Sequence, residues 1–388
     1  MKDKVNLGIF GCGSIFRSMH LPSLLKLADK FNIAAAYDTE SRAVALTRDS
    51  LPRSLKLKFA ESPGEILTDP SIDAVAVLTS TSAHVKYTLL ALKHKKHVFL
   101  EKPAAVLPAD VKRIISAEKK YRRFVQVGMV LRYSSFYKEL CRIADSQKYG
   151  KVLWMNWLET RPFDPMIWRY IDSAKEGDAI IHDKAVHQIN LFNRFAGSKA
   201  EEVAAFGGQY LINPRTYTRV RAFRNEVELK GDSNDNLMAI IKYKNGVKAS
   251  ITVSYVSPHA RESRWIIQLE KAKIVAHFET FAKANRSSKR KWKGNPSSIY
   301  IFADNRKLPV AWRYPMSYPP DDINLAFYDE YPDEPMHPGS GGQWKEFYET
   351  VTRGVKPESS TMVALEDIIV AKAIDDAIKK KKVVKIFR

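Results

Sequence analysis

The sequence predicts a two-part chain: a doubly wound α/β domain on a parallel sheet over residues 1–130, then an α+β domain with a large, mostly antiparallel sheet over residues 131–388. Three observations carry this. Short apolar runs alternate with helical patterns as far as about residue 130, at the rhythm of βαβ units. Beyond it, longer runs alternate residue by residue and are punctuated by turn signals. Finally, 388 residues exceed one domain of ordinary size.

Taken in order, the first part offers strands at Val5–Phe10, Asn32–Tyr37, Ala74–Leu78, His97–Leu100 and Phe124–Val127, apolar enough to be buried on both faces. Amphipathic spacing places helices over Ala83–Lys93 and Ala109–Tyr121, and Pro108 just ahead of the second is tolerated in a first turn. In the second part Lys151–Arg161 and Leu237–Tyr255 alternate as strands, with Lys244-Asn245-Gly246 supplying a turn inside the latter. Pro315–Gly342 is rich in Pro, Asp, Tyr and Gly and reads as irregular. Helices over about Gln343–Thr352 and Ala364–Lys380 precede a terminal strand, Val383–Phe387.

Composition narrows the function classes. An apolar fraction of 45% supplies a sizeable core, and Cys12 and Cys141 are too few and too distant for a disulfide framework or a zinc site, which fits a reducing cytoplasm. Met1–Lys4 runs straight into the first strand with no signal-peptide pattern, and no apolar stretch approaches membrane-spanning length. The net charge of +20 is compatible with nucleic-acid binding or with an acidic ligand. The lysines are scattered, however, with dense clusters only at Ser287–Lys293 and Lys379–Lys382, so a solvated basic surface is the simpler account and no nucleic-acid partner is expected.

The first strand breaks into Gly11-Cys12-Gly13 and leads through Ser14 and Ile15 into a helix, the sequence form of a dinucleotide-binding turn. Gly11 permits the tight turn, Gly13 lets backbone approach a pyrophosphate, and the first helical N–H groups then face that anion. Phe16 stands where a third small residue normally allows close helix packing. Asp38 ends the second strand where a carboxylate meets the adenosine ribose 2′-hydroxyl, which favours NAD; Arg42 offers a phosphate partner and keeps NADP open as the lesser choice. Lys102 follows the apolar strand His97–Leu100, so it emerges at the ligand-bearing edge of the sheet, where an ammonium can stabilise charge developing on a substrate oxygen. Asp183 and His187 are four apart; if 178–195 is helical they share a face, which suits a histidine base biased by a neighbouring carboxylate. A polar surface pair, or with His182 a partial metal site, is the rival reading, but no further ligand stands at a suitable spacing and no metal is expected. His20 and His97 have no partner evident in the sequence.

Five signatures in this order resemble the Gfo/Idh/MocA family of NAD(P)-dependent sugar and cyclitol oxidoreductases: Gly8–Gly13; Asp73-Ala74-Val75 with Thr79 and His84; Glu101-Lys102-Pro103; Gly128 with Arg132; and Asp183–His187. The tail, from Gln343–Phe347 through Gly354, Pro357 and Glu366-Asp367, is similar to that family's closing helices. The resemblance implies NAD held by Gly11, Gly13, Ser14, Ile15, Asp38, Arg42, Thr79, Thr81, His84, Glu101 and Lys102, and a catalytic set of Lys102, Asp183 and His187. It implies hydride transfer to or from a carbinol carbon of a sugar, cyclitol or derivative, and a homodimer or homotetramer. NAD-retaining relatives that cleave or couple sugars are an alternative outcome, and a non-catalytic cofactor-binding regulator is a second. Thr79 and Thr81 also fit helix caps. Arg132, Tyr133, Arg161, Trp168, Arg169 and Asn190 are candidates for substrate contact, the aromatics by stacking unless they are core, and the arginines as forks for an acidic or phosphate-bearing substrate. Asn190 stands where the family often has a second Asp, and Asp178 replaces a usual glycine.

Overall fold

A computed structural model describes residues 4–161, 173–212, 215, 218–222, 225–257, 262–277, 298–304, 306–310 and 339–387. In chain order the strands and helices begin with β1 (Val5–Phe10), α1 (Leu21–Leu25), β2 (Phe31–Tyr37), α2 (Ser41–Ser50), β3 (Lys58–Phe59), α3 (Pro63–Thr68) and β4 (Ala74–Val77). There follow α4 (Thr81–Lys93), β5 (His97–Leu100), α5 (Pro108–Tyr121), β6 (Val125–Val127), α6 (Ser135–Asp145), β7 (Val152–Thr160) and α7 (Ser173–Glu176). Next come α8 (Val186–Ala196), β8 (Ala200–Gly208), β9 (Thr218–Ala222), β10 (Asn225–Leu229), β11 (Asn236–Tyr243), β12 (Lys248–Ser254) and β13 (Glu262–Leu269). The chain closes with β14 (Lys273–His277), β15 (Ser298–Ala303), β16 (Arg306–Pro309), α9 (Ser340–Arg353), α10 (Thr361–Lys380) and β17 (Val384–Lys385). Two π-helical segments, Phe16–His20 and Ala179–Ala185, lead into α1 and α8.

The chain divides into two units, Met1–Ser134 with Met336–Ile368, and Ser135–Pro335 with Ile369–Arg388. The first carries a parallel sheet of six strands in the order β3-β2-β1-β4-β5-β6, so the strand order reverses between β1 and β4. All four residues of β4 are buried, as a strand covered on both faces requires. Trp344 of α9 stacks on Phe99 of β5 with ring centroids 4.2 Å apart, and meets Phe31 and Phe347 edge-on. This packing joins α9 to the N-terminal unit, with which Met336–Ile368 is grouped.

The second unit holds a nine-stranded sheet, β16-β15-β14-β13-β7-β12-β11-β8-β17, antiparallel except where β12 runs beside β7. One face of it is a core: Trp265 of β13 meets Tyr137 of α6, Phe192 and Phe195 of α8 and Trp157 of β7. Alternation puts the intervening residues outside, and there Phe206, Met238 and Ile240 are 81%, 63% and 57% exposed. Phe206 and Met238 are directly paired across β8 and β11. A further two-stranded sheet joins β9 and β10. Trp168, Arg169, Tyr170, the cluster Ser287–Lys293 and most of Pro315–Gly342 lie outside the described residues.

Candidate active-site residues

At the carboxyl end of β1, Gly11 has φ +100°, and a Cβ there would lie 2.5 Å from the backbone O of Leu78. The turn thus crosses directly over the end of β4, and only glycine fits. Gly13 is the opposite case: a Cβ would meet nothing within 4 Å. Open space adjoins its backbone, the room a pyrophosphate needs, ahead of the N–H groups of the turn that follows. Between the two glycines, Cys12 N–H donates to Asp38 Oδ2 at 2.6 Å, while Cys12 O accepts from buried Arg17 Nη1 at 2.7 Å and from Thr47 Oγ1 at 2.8 Å. Burial, reinforced by Asp38 and only partly opposed by Arg17, pushes the Cys12 thiol up to about 12, so it stays neutral and unreactive.

Asp38 therefore ties the second strand to the glycine turn, and its Oδ1 accepts the Glu40 N–H at 2.9 Å. Ser14 and Ile15 are partly exposed at the start of the turn, and Arg42 is exposed on α2. Phe16 is fully buried in the apolar core, and the chain winds there as a π-helix where an α-helix was expected. The wider π turn accommodates a ring where a small residue would let an α-helix sit close.

The loop after β5 is held by a buried carboxylate. Glu101 Oε1 meets His20 Nε2 at 3.1 Å, Glu101 Oε2 accepts the Lys102 N–H at 2.9 Å, and His20 Nδ1 lies 3.2 Å from Trp344 Nε1. Burial pushes the Glu101 carboxyl up, but the hydrogen bond from His20, with the Lys102 ammonium and N–H, outweighs it and holds the group below its ordinary range. Gly128 makes the room: a Cβ there would come within 2.7 Å of Glu101 Oε1. The His84 ring contacts Pro103 O at 2.8 Å and Thr79 O at 3.1 Å, binding the loops after β4 and β5 together, and burial lowers its pKa. Thr79 is partly exposed at this edge, and Thr81 is buried at the start of α4. Lys102 is partly exposed, beside Glu101.

In the second unit Asp183 lies in the π-helical Ala179–Ala185 and His187 in the first turn of α8. The helix expected over 178–195 is present but begins with π winding, a departure often found at functional sites. His187 and Asn190 are buried and Asp183 is partly exposed. Asp178, the residue replacing a glycine, caps this helix: Oδ1 accepts from Ile180 N and Ile181 N, both at 3.0 Å, and Oδ2 from Asn234 N at 2.7 Å and Asn234 Nδ2 at 2.8 Å. Burial pushes its carboxyl up to about 6 against these four donors. A second buried carboxylate was not evident from sequence: Glu159 on β7 lies 3.0 Å from Lys184 Nζ and 3.8 Å from Arg161 Nη1.

One substrate-contact expectation needs correction. Tyr133 is buried within the first unit, and its hydroxyl is engaged by Glu346 and Ser359, so its ring is core and not a platform for a sugar. Arg132 faces Glu358 at 3.6 Å, and Arg161 faces Glu159 and lies over the Tyr255 ring at 5.0 Å. Both guanidiniums thus have an acidic neighbour within their own unit. Among the described residues no cluster of three or more His, Cys, Asp or Glu is arranged to hold a metal ion, and no helix is long and apolar enough to cross a membrane.

Comparison with known proteins agrees with this geometry. Residues 5–129 match the family described as "Oxidoreductase family, NAD-binding Rossmann fold", and residues 137–275 match "GFO/IDH/MocA C-terminal domain". A myo-inositol 2-dehydrogenase of Thermotoga maritima is 26% identical over 277 residues, 70% of this chain and 75% of the relative. Levoglucosan dehydrogenase, solved with NADH and L-sorbose, shares the fold at a TM-score of 0.75 and 16% identity, covering 100% of both chains. GenD2 from gentamicin A biosynthesis, solved with NAD, does so at 0.76 and 14% identity, covering 100% of this chain and 98% of its own. With a glycine turn built for a dinucleotide at one end and both family domains matched in order, the chain belongs to the Gfo/Idh/MocA family of oxidoreductases.

Proposed function

We propose that this protein is an NAD-dependent dehydrogenase that oxidises or reduces a carbinol carbon of a cyclitol or sugar. The observation that carries the reading is the carboxyl edge of the parallel sheet, where the open Gly13 cradle, Asp38 at the end of β2 and Lys102 just past β5 stand at the reversal of strand order. The backbone of Gly11–Ile15 would hold the pyrophosphate and Asp38 the ribose 2′-hydroxyl, and the Asp38 charge would repel a 2′-phosphate. Bound there, NAD supplies a hydride acceptor at the nicotinamide ring. His187 takes the proton from the reacting hydroxyl, Asp183 biases that imidazole toward its charged form, and the Lys102 ammonium stabilises negative charge on the same oxygen. The inositol dehydrogenase among the relatives and the levoglucosan dehydrogenase fold support a neutral polyol as substrate class.

The test is NADH formation at 340 nm with inositol isomers, aldoses, uronates and nucleotide sugars, run in parallel with NADP. NADH formed with inositols or aldoses, and tighter binding of NADH than NADPH, supports the assignment. Substrate consumption without stoichiometric NADH would replace it with NAD-retaining chemistry. We further infer assembly into a homo-oligomer through the outer sheet face, because Phe206, Met238 and Ile240 form an exposed apolar group on adjacent strands. Light scattering that gives a monomer mass would refute it.

A further inference from the structure

The Rossmann unit buries an imidazole that the proposed chemistry does not use. His20 is fully buried, and its ring packs edge-on against Phe99 and Trp344. An indole N–H only donates. The 3.2 Å contact with Trp344 Nε1 therefore assigns His20 Nδ1 as acceptor, which leaves the ring hydrogen on Nε2, directed at Glu101 Oε1 at 3.1 Å. The contact between His20 and Glu101 is thus a hydrogen bond from a neutral ring to an anion. The second carboxylate oxygen accepts the Lys102 N–H at 2.9 Å. Every member of the chain has its donor matched to an acceptor, and Gly128 reserves the space the carboxylate occupies.

We propose that His20 is a positioning residue for Lys102, acting through Glu101 and kept in one tautomer by Trp344. The relay works at two points. It fixes the backbone at Lys102, and so the origin of the lysine side chain. It also donates to Glu101 Oε1 and so favours the ionised carboxylate against the opposing effect of burial, which leaves an anion beside the Lys102 ammonium. Among the described residues of this unit, Glu101 and, from α4, His84 are titratable groups that feel the Lys102 charge. The inference rests on the reading of Lys102 as the group that stabilises charge on the substrate oxygen.

His20→Phe keeps an aromatic ring, slightly larger, and removes both hydrogen bonds; Trp344→Phe keeps an aromatic ring in the packing with Phe99 and Phe31 and removes the indole donor that locks the tautomer. Each is compared with wild type in the native background and in Lys102→Ala, using the inositol or aldose that forms NADH fastest. The expected result is a fall in kcat on the order of 10-fold to 100-fold for His20→Phe, with KM and NADH affinity nearly unchanged, a smaller fall for Trp344→Phe, and no further fall when either is added to Lys102→Ala. Equal losses in both backgrounds, or no loss for His20→Phe, would overturn the proposal. Undiminished turnover in Lys102→Ala alone would instead remove the underlying role of Lys102, a failure distinct from that of the relay.

Discussion

Replacing Gly13 by alanine separates a cofactor cradle from an ordinary turn. No atom stands within 4 Å of the added Cβ, and the backbone there is not in the left-handed region, so the folded protein should be unharmed. Loss of chain entropy in the unfolded state should even stabilise it, by about 0.4–1 kcal/mol. A bound pyrophosphate would need that same space. Forcing a methyl into a packed contact costs about 1–3 kcal/mol, which corresponds to roughly 5-fold to 150-fold weaker binding. Gly11→Ala supplies the contrast: its Cβ would meet backbone atoms of Leu78 and Thr79 at 2.5–2.9 Å, at φ +100°. Since neither backbone can yield cheaply, about 3 kcal/mol or more of stability should be lost. Denaturant unfolding measures the first quantity and fluorescence titration with NADH the second. A folded Gly13→Ala protein that binds NADH like wild type would refute the cradle.

Further expectations follow from other parts of the structure. His187→Asn should lower turnover by a factor on the order of 10² to 10⁴ in the NADH assay while NADH binding stays close to wild type; near wild-type turnover across pH 6 to 9 would move the base role elsewhere. Asp178→Ala leaves two helix N–H groups and both Asn234 donors without their acceptor, and should cost about 3–5 kcal/mol in denaturant unfolding, with Asp178→Asn costing less because one acceptor oxygen remains. His97 is held at about 4 by burial, with Arg123 adding to the effect. Its neutral form is favoured in the native state, so its contribution is complete above the ordinary value of 6.5 and is lost as pH falls from there toward 4. The loss should reach about 3 kcal/mol, and His97→Gln should flatten that part of the stability profile.

What the sequence disclosed follows from the range over which each signal acts. The central strands were legible because a strand buried on both faces must be apolar throughout, and Gly11 because a tight crossing admits no side chain. β3 was not, since two residues on the sheet edge, one of them the exposed Lys58, carry no periodic pattern. The π winding at Phe16–His20 and Ala179–Ala185 was also hidden, because a short apolar segment looks alike in α and π form; Phe16 in place of a small residue was its one local trace. The placement of α9 on the first unit depends on Trp344 meeting Phe99 and Phe31, contacts between residues remote in the chain.

The same distance hid the polar groups that matter most around Lys102. His20 lies 81 residues from Glu101 and 324 from Trp344, so nothing local marks it as more than a histidine in a helix. Asp178 shows how a departure from a family pattern can be informative before its meaning is known. A glycine would leave the first N–H groups of the helix that carries Asp183 and His187 to solvent or ligand, whereas the carboxylate satisfies them and joins the helix to Asn234. Fixing the start of that helix fixes the direction in which Asp183 and His187 are presented, so the loss of stability in Asp178→Ala should be accompanied by a loss of turnover that Asp178→Asn largely restores. If Asp178→Ala is destabilised yet turns over normally under conditions where it remains folded, the cap serves stability alone.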